Sequence, residues 1–213
     1  MKHLIIIGAR GWGREIYAVA KNTIAYSQGE FDIKGFLDDK ADAFEGLRGD
    51  FPPIIGSVET YQIESDDVFF CAMGDPRWRK HYVEIIAEKG GHFISLISPT
   101  ARINPTAVIG EGTIIGNYSL VSDNVIIGNH CILQCFDDLG HDASVGDYTT
   151  LESYVFMGGY AKVGNISVLH TKASIIPHKI VGNECIVGIN SVVMKNVKDG
   201  QHVFGCPAIR VSI

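Results

Sequence analysis

The chain has 213 residues, 46% of them hydrophobic and 20% charged, with 24 acidic against 18 basic side chains and a net charge of −6. That length suits one large or two small folded units, and the acidic balance excludes a basic surface for nucleic acid or anionic lipid. The apolar run in MKHLIIIGARG is too short for a signal peptide or a membrane span, and no later stretch supplies one, so a cytoplasmic protein is expected.

His3 to Ile7 reads as a fully buried parallel strand, and Gly8, Gly11 and Gly13 follow in a turn that opens a helix near Trp12 to Ile16. Such a loop lets backbone approach a phosphate, and the helix start adds N–H groups and positive potential. The spacing is GxxGxG and not the dinucleotide GxGxxG. A second strand, Ile33 to Leu37, ends in Asp38, Asp39 and Lys40, where an acidic side chain can meet a ribose hydroxyl. A third, Val68 to Met73, ends in Gly74 and Asp75 before a helix through Arg77 to Lys89. All three strand ends converge on the crevice at the carboxyl edge of the sheet, which favours a small-molecule site over a purely structural loop. Residues 1–96 are sized for a mononucleotide or a nucleotide-sugar.

From Ile97 to Val193 every sixth residue is aliphatic, and the residue two places earlier is mostly small. Alternation along a strand puts both on one side. Gly follows the aliphatic at 110, 116, 128, 140, 146, 158, 164, 182 and 188, which suggests corners that need positive φ. Each hexapeptide is a short strand plus a corner, and three close a triangular coil of a parallel β-helix. The expected organisation is an α/β Rossmann-like domain over 1–96, an all-β parallel β-helix over 97–197 and a C-terminal cap segment over 198–213.

His141 comes two residues after Leu139, on an outward corner, and Asp142 beside it can fix its tautomer. Gly159 is eighteen residues on, one coil above, where a bare glycine leaves room for a ligand. His130, His170 and His178 are further candidates for a ligand contact, whereas His3, His81, His92 and His202 lie outside the prism. Asp137 falls on an inward position, where it must be hydrogen-bonded or displaced toward the corner by a bulge. Cys71, Cys131, Cys135, Cys185 and Cys206 lack CxxC spacing and read as packing thiols of a reducing compartment. No His, Cys and carboxylate cluster has metal-ligand spacing.

Taken together, LIIIGARGWGREI, GFLDDK, the unbroken hexads, LGHDASVG and VFGCPAIR resemble the nucleotide-sugar and sialic-acid acetyltransferase family over nearly the whole chain. The resemblance implies a left-handed β-helix, a homotrimer with active sites between subunits, and acetyl-CoA as co-substrate in the groove between prisms. It also implies N-acetylation of a nucleotide-linked aminosugar in surface-glycan synthesis. Carried onto this sequence, His141 is the general base and Asp142 its orienting acid, and the Gly159 amide meets the thioester. Thr171 and Ile189 line the pantetheine arm, and Gly205, Pro207, Ala208 and Arg210 cap it. Gly8 and Gly11 approach the phosphates, Asp38, Asp39 and Lys40 the base and ribose, and Gly74 belongs to the same nucleotide-sugar site. Gln134, an acceptor contact, stands where the aminosugar enzymes carry Asn, and Thr150 replaces a second histidine. Two other readings share the pattern: sialic-acid or sugar O-acetylation, and a non-catalytic trimeric sugar-nucleotide scaffold.

Overall fold

The computed structural model describes residues 1–211. The chain divides into two compact units, Met1–Leu96 and Ile97–Ile213.

The first unit is a five-stranded parallel sheet. Its elements are β1 (Lys2–Ile7), α1 (Gly11–Lys21), α2 (Ile24–Ser27), β2 (Phe31–Leu37), β3 (Ile54–Gly56), β4 (Asp67–Cys71), α3 (Pro76–Glu88) and β5 (His92–Phe93). The strand order is β3-β2-β1-β4-β5. Leu4, Ile5, Ile6 and Ile7 are all buried, as a strand covered on both faces requires. Helix α1 buries Gly13, Ile16 and Ala20, a three-and-four spacing that presents one stripe to the sheet. Helix α3 starts cleanly because the Asp75 carboxylate accepts from the N–H of Arg77 and Trp78 and Pro76 occupies the first turn. The expected strands and helices recur with ends moved by a residue or two. The short α2, β3 and β5 carry too little pattern to be read in advance.

The second unit is a triangular parallel β-helix. Residues pair with those eighteen along the chain, Arg102 with Leu120, Leu120 with Asp138, Asp138 with Phe156, Phe156 with Ser174 and Ser174 with Val192. The other two faces repeat this register, for example Ile126 with Ser144 and Ile132 with Thr150. From Ile115 to Val193 the sixth-residue aliphatics are buried, forming one continuous core with small residues such as Ala143, Ala161 and Ala173. Ile97, at the first coil, is 37% exposed because no coil lies beneath it. His202–Phe204 extends one face parallel to Ile186–Val187, and Ile209–Val211 then pairs antiparallel to it.

One local expectation is corrected. The left-handed backbone does not fall on the glycine after each aliphatic but two residues later, on Tyr118, Asn124, His130, Phe136, Asp142 and their successors, with φ of 59°, 56°, 54°, 63° and 59° for these five. The glycines serve packing: a Cβ on Gly140 would lie 2.7 Å from the Gly159 amide nitrogen of the coil above. Coil-to-coil approach at the corners, and not backbone torsion, selects glycine there.

Candidate active site

In the first unit a cavity of about 510 Å³ opens at the carboxyl ends of the strands, lined among others by Gly8, Trp12, Asp39, Gly74, Trp78 and Tyr82. It lies where chain order reverses about β1, between its neighbours β2 and β4, which is where open α/β sheets hold ligands. Gly8 has φ of +94° and any side chain on Gly13 would run into the Gly8 carbonyl, so the loop and α1 are held in close contact. Gly11 faces open space. No acidic side chain sits in the first turn of α1 and its N-cap, Arg10, makes no side-chain cap, so the helix start presents N–H groups and positive potential. Asp38 is committed to the loop: its carboxylate accepts from Ala9 N at 2.8 Å and Lys40 N at 2.9 Å. Asp38, Asp39 and Gly74 line the cavity, whereas Lys40 is exposed and lies 3.8 Å from Asp42. Trp12, Trp78 and Tyr82 give the cavity an aromatic wall, for which the only signal in the sequence is their place beside the strand ends.

In the second unit His141 and Asp142 occupy one corner. His141 Nδ1 lies 2.8 Å from Asp142 Oδ2, with side-chain exposures of 60% and 31%. The left-handed φ at Asp142 turns the chain so that neighbouring residues can pair. The Asp142 carboxyl is held below the usual carboxylate range, chiefly by the hydrogen bond with His141, with Asn124 and Tyr160 adding to it. Tyr160 stands edge-on to the imidazole at 5.2 Å and stacks on His178 at 4.8 Å. A Cβ on Gly159 would lie 2.8 Å from His141 Nε2, so glycine is what leaves that nitrogen open toward a ligand. Asn124 and Tyr160 are each eighteen residues from Asp142, and the coil index alone would have found them.

The next group stands on a different corner. Gln134, Thr171 and Ile189 follow the strands Ile132–Leu133, Val168–Leu169 and Ile186–Val187 of another face. One hexapeptide of near-extended chain, on the order of 15 Å, separates this corner from that of His141. Gln134 Oε1 accepts from Ser153 N at 3.1 Å and Ser153 Oγ at 3.2 Å, so its oxygen closes its own corner. Ile189 is 50% exposed. At the last coil Gly205 N donates to Ser191 Oγ and Ala208 N to the Val192 carbonyl, which ties the cap to the prism; Pro207 and Arg210 are exposed.

His130 is buried and stacks on Tyr148, His3 pairs with Asp32, and His202 belongs to the prism's extended face and not outside it. Asp137 stays inward, 1% exposed, its Oδ1 accepting from Val155 N at 2.9 Å. Burial pushes its carboxyl up to about 8. Cys71, Cys131 and Cys185 are buried as expected of packing thiols, but Cys135 is only half-buried at a corner of the prism and Cys206 is exposed in the turn between the last two strands. Among the described residues no group of three or more His, Cys, Asp or Glu side chains is placed to hold a metal, and no helix is long and apolar enough to cross a membrane.

Residues 3–86 match the PglD N-terminal domain family. UDP-N-acetylbacillosamine N-acetyltransferase of Bacillus subtilis (strain 168) is 32% identical over 116 residues, 54% of this chain and 51% of that protein, so the match spans about half the length of this curated relative. Among solved structures, the acetyltransferase domain of PglB from Neisseria gonorrhoeae aligns over 99% of this chain and 100% of its own, at TM-score 0.88 and 26% identity. A histidine-to-asparagine variant of perosamine N-acetyltransferase from Caulobacter crescentus, with CoA and GDP-perosamine, aligns over 100% and 98% at TM-score 0.88 and 23% identity, and so shares the fold. Sheet and prism together define the fold class, an α/β N-terminal unit followed by a hexapeptide-repeat β-helix. The first unit thus matches the PglD N-terminal domain family, and the chain as a whole is similar to acetyltransferases that carry this pair of units.

Proposed function

We propose that the protein transfers an acetyl group from acetyl-CoA to the amine of a nucleotide-linked aminosugar. The observation that carries this reading is His141, held by Asp142 at an exposed corner, with Gly159 leaving its Nε2 open. Asp142 accepts from Nδ1–H, which leaves the Nε2 lone pair as the base. The sugar amine attacks the thioester carbonyl, the C–N bond forms, and Nε2 takes the amine proton. The Gly159 amide stabilises the oxyanion; collapse breaks the C–S bond, and the departing thiolate recovers the proton from the imidazole.

The first-unit cavity is read as the nucleotide-sugar site, with Gly8, Gly11 and the start of α1 toward the phosphates and Asp39 and Gly74 beside the sugar or base. Asp38 acts there through the loop it holds, and Lys40 from the rim. Thr171, Ile189 and the cap residues Gly205, Pro207, Ala208 and Arg210 are read as the coenzyme groove. They share a prism with His141 but not a corner. A complete site therefore takes His141 from one subunit and the groove from its neighbour, which is the reason to propose a homotrimer. A cytoplasmic location suits a protein that uses acetyl-CoA. The PglB acetyltransferase domain, whose complex with acetyl coenzyme A matches at TM-score 0.75 and 26% identity, supports the reading of the co-substrate.

His141→Ala should lower kcat at least about 100-fold while coenzyme binding is nearly retained, because the base acts only in the transition state. Steady-state kinetics with sugar nucleotides, with calorimetry of CoA binding, checks this; turnover at the wild-type rate would remove His141 from the mechanism. Mass spectrometry of the product before and after mild alkali separates a stable amide from an ester that is lost.

A further inference from the structure

Residues 152 and 170 are stacked on the corner that carries Thr171, in successive coils. One carboxylate gathers three groups there. Glu152 Oε2 accepts from Thr171 N at 3.0 Å and Thr171 Oγ1 at 3.1 Å, and Glu152 Oε1 lies 3.1 Å from His170 Nδ1. One coil lower, Gln134 closes the same corner on Ser153 N and Oγ with a neutral amide oxygen. The corner's structure therefore needs an acceptor and not a charge. What the carboxylate adds over an amide is a second acceptor oxygen, which holds the proton on Nδ1 of His170 and leaves Nε2 as the ring's acceptor; His170 stands in the hexad position that Gly fills in the next coil up, at 188, and further down, at 116.

His170 is 40% exposed, so its ring stands at the surface and not in the core. With Nδ1 taken by Glu152, Nε2 is the ring's remaining polar atom. The groups of Thr171 are spoken for: Glu152 holds its N–H and hydroxyl, and its carbonyl accepts from Asn190 N at 3.1 Å. We propose that His170, oriented by Glu152, is a coenzyme contact, its Nε2 hydrogen-bonding an amide of the pantetheine arm, and that Glu152 is the positioning residue that aims it. This rests on reading Thr171 and Ile189 as the groove for that arm. It gives the prism two histidine–carboxylate pairs with separate tasks, one at the reacting amine and one along the coenzyme.

The test is calorimetric titration of acetyl-CoA into the full-length wild type, His170→Ala, Glu152→Gln and the double variant, with melting curves of each. His170→Ala should weaken binding about 10-fold, the scale of one well-placed hydrogen bond. Glu152→Gln should weaken it by a similar factor with an unchanged melting temperature, since an amide already closes the corner below. The double variant should be no weaker than either single one, because both changes remove the same contact. In turnover the loss should appear in KM for acetyl-CoA, with kcat within about 3-fold. Wild-type affinity in His170→Ala, or additive losses in the double variant, would overturn the proposal. Glu152→Gln that melts early would assign Glu152 to the fold and overturn its positioning role. A wild type that binds no acetyl-CoA defeats the groove reading itself, and this inference with it.

Discussion

Asp137 and His141 lie four residues apart and show how position in a coil sets the chemistry of a side chain. Both are polar residues in a run of aliphatic hexads; one faces in and the other out. Asp137 occupies the slot where Ser119, Thr113, Thr149 and Ser167 place a hydroxyl between two coils. Its carboxyl is pushed up to about 8, first by burial, against the lowering effect of the backbone hydrogen bonds from Val155 and Gln134. The unfolded chain loses this proton near pH 4, whereas the native state keeps it to about 8. The native state then binds more protons across that window, so this group lowers stability progressively as pH rises from 4 to 8 and has no further effect above it. Asp137→Asn keeps the acceptor for Val155 N and removes the titration. Its melting temperature relative to wild type should rise steadily from pH 5 to pH 8, by roughly 2–4 °C for each kcal/mol recovered. Parallel melting curves across that range would contradict a neutral buried carboxyl. At the outward position Asp142 behaves in the opposite sense, its charge favoured by the partner it orients.

The coil is the working element of the second unit. Its aliphatics are not equivalent, because burial depends on having a coil on both sides. Leu151 is fully buried in mid-stack, whereas Ile97 at the first coil is 37% exposed. Leu151→Ala should cost on the order of 2–5 kcal/mol, through lost transfer energy and a cavity that neighbouring coils cannot fill. Ile97→Ala should cost less than half as much, and chemical denaturation of the two variants measures the difference. Equal losses would mean that coil stacking does not distribute the core in this way. The same stacking explains the glycines at the corners and the ladder by which Glu152 and Gln134 each reach the coil above. In the first unit the corresponding element is the loop between β1 and α1, where Asp38 clamps Ala9 and Gly13 sits against Gly8. The loop was visible in the sequence as glycines after a strand. That Asp38 holds the loop was not visible, because an acidic residue after strand two fits a ribose contact equally well.

Over the whole molecule, the proposal that chains share a site rests on the His141 corner and the Thr171 corner belonging to different edges of one prism. Light scattering at micromolar concentration should therefore report three times the 23.2 kDa chain mass; a monomer that retains full activity would refute the shared site. The hexad period, read alone, determined the β-helix, its eighteen-residue coil, the inward set and the corner on which His141, Asp142 and Gly159 meet, because stacking makes position along the chain equivalent to position in space. The strand–glycine–helix opening likewise determined a parallel α/β unit with its crevice at the strand ends. Only the tertiary structure decided that the corner glycines answer to coil contact and that left-handed torsion falls on other residues. Only it showed that the Asp38 carboxylate holds the Ala9 and Lys40 amides, that Gln134 holds the Ser153 amide and hydroxyl, and that Glu152 pairs with His170. Those outcomes depend on side-chain direction and on donors brought close by folding, which a one-dimensional period does not encode.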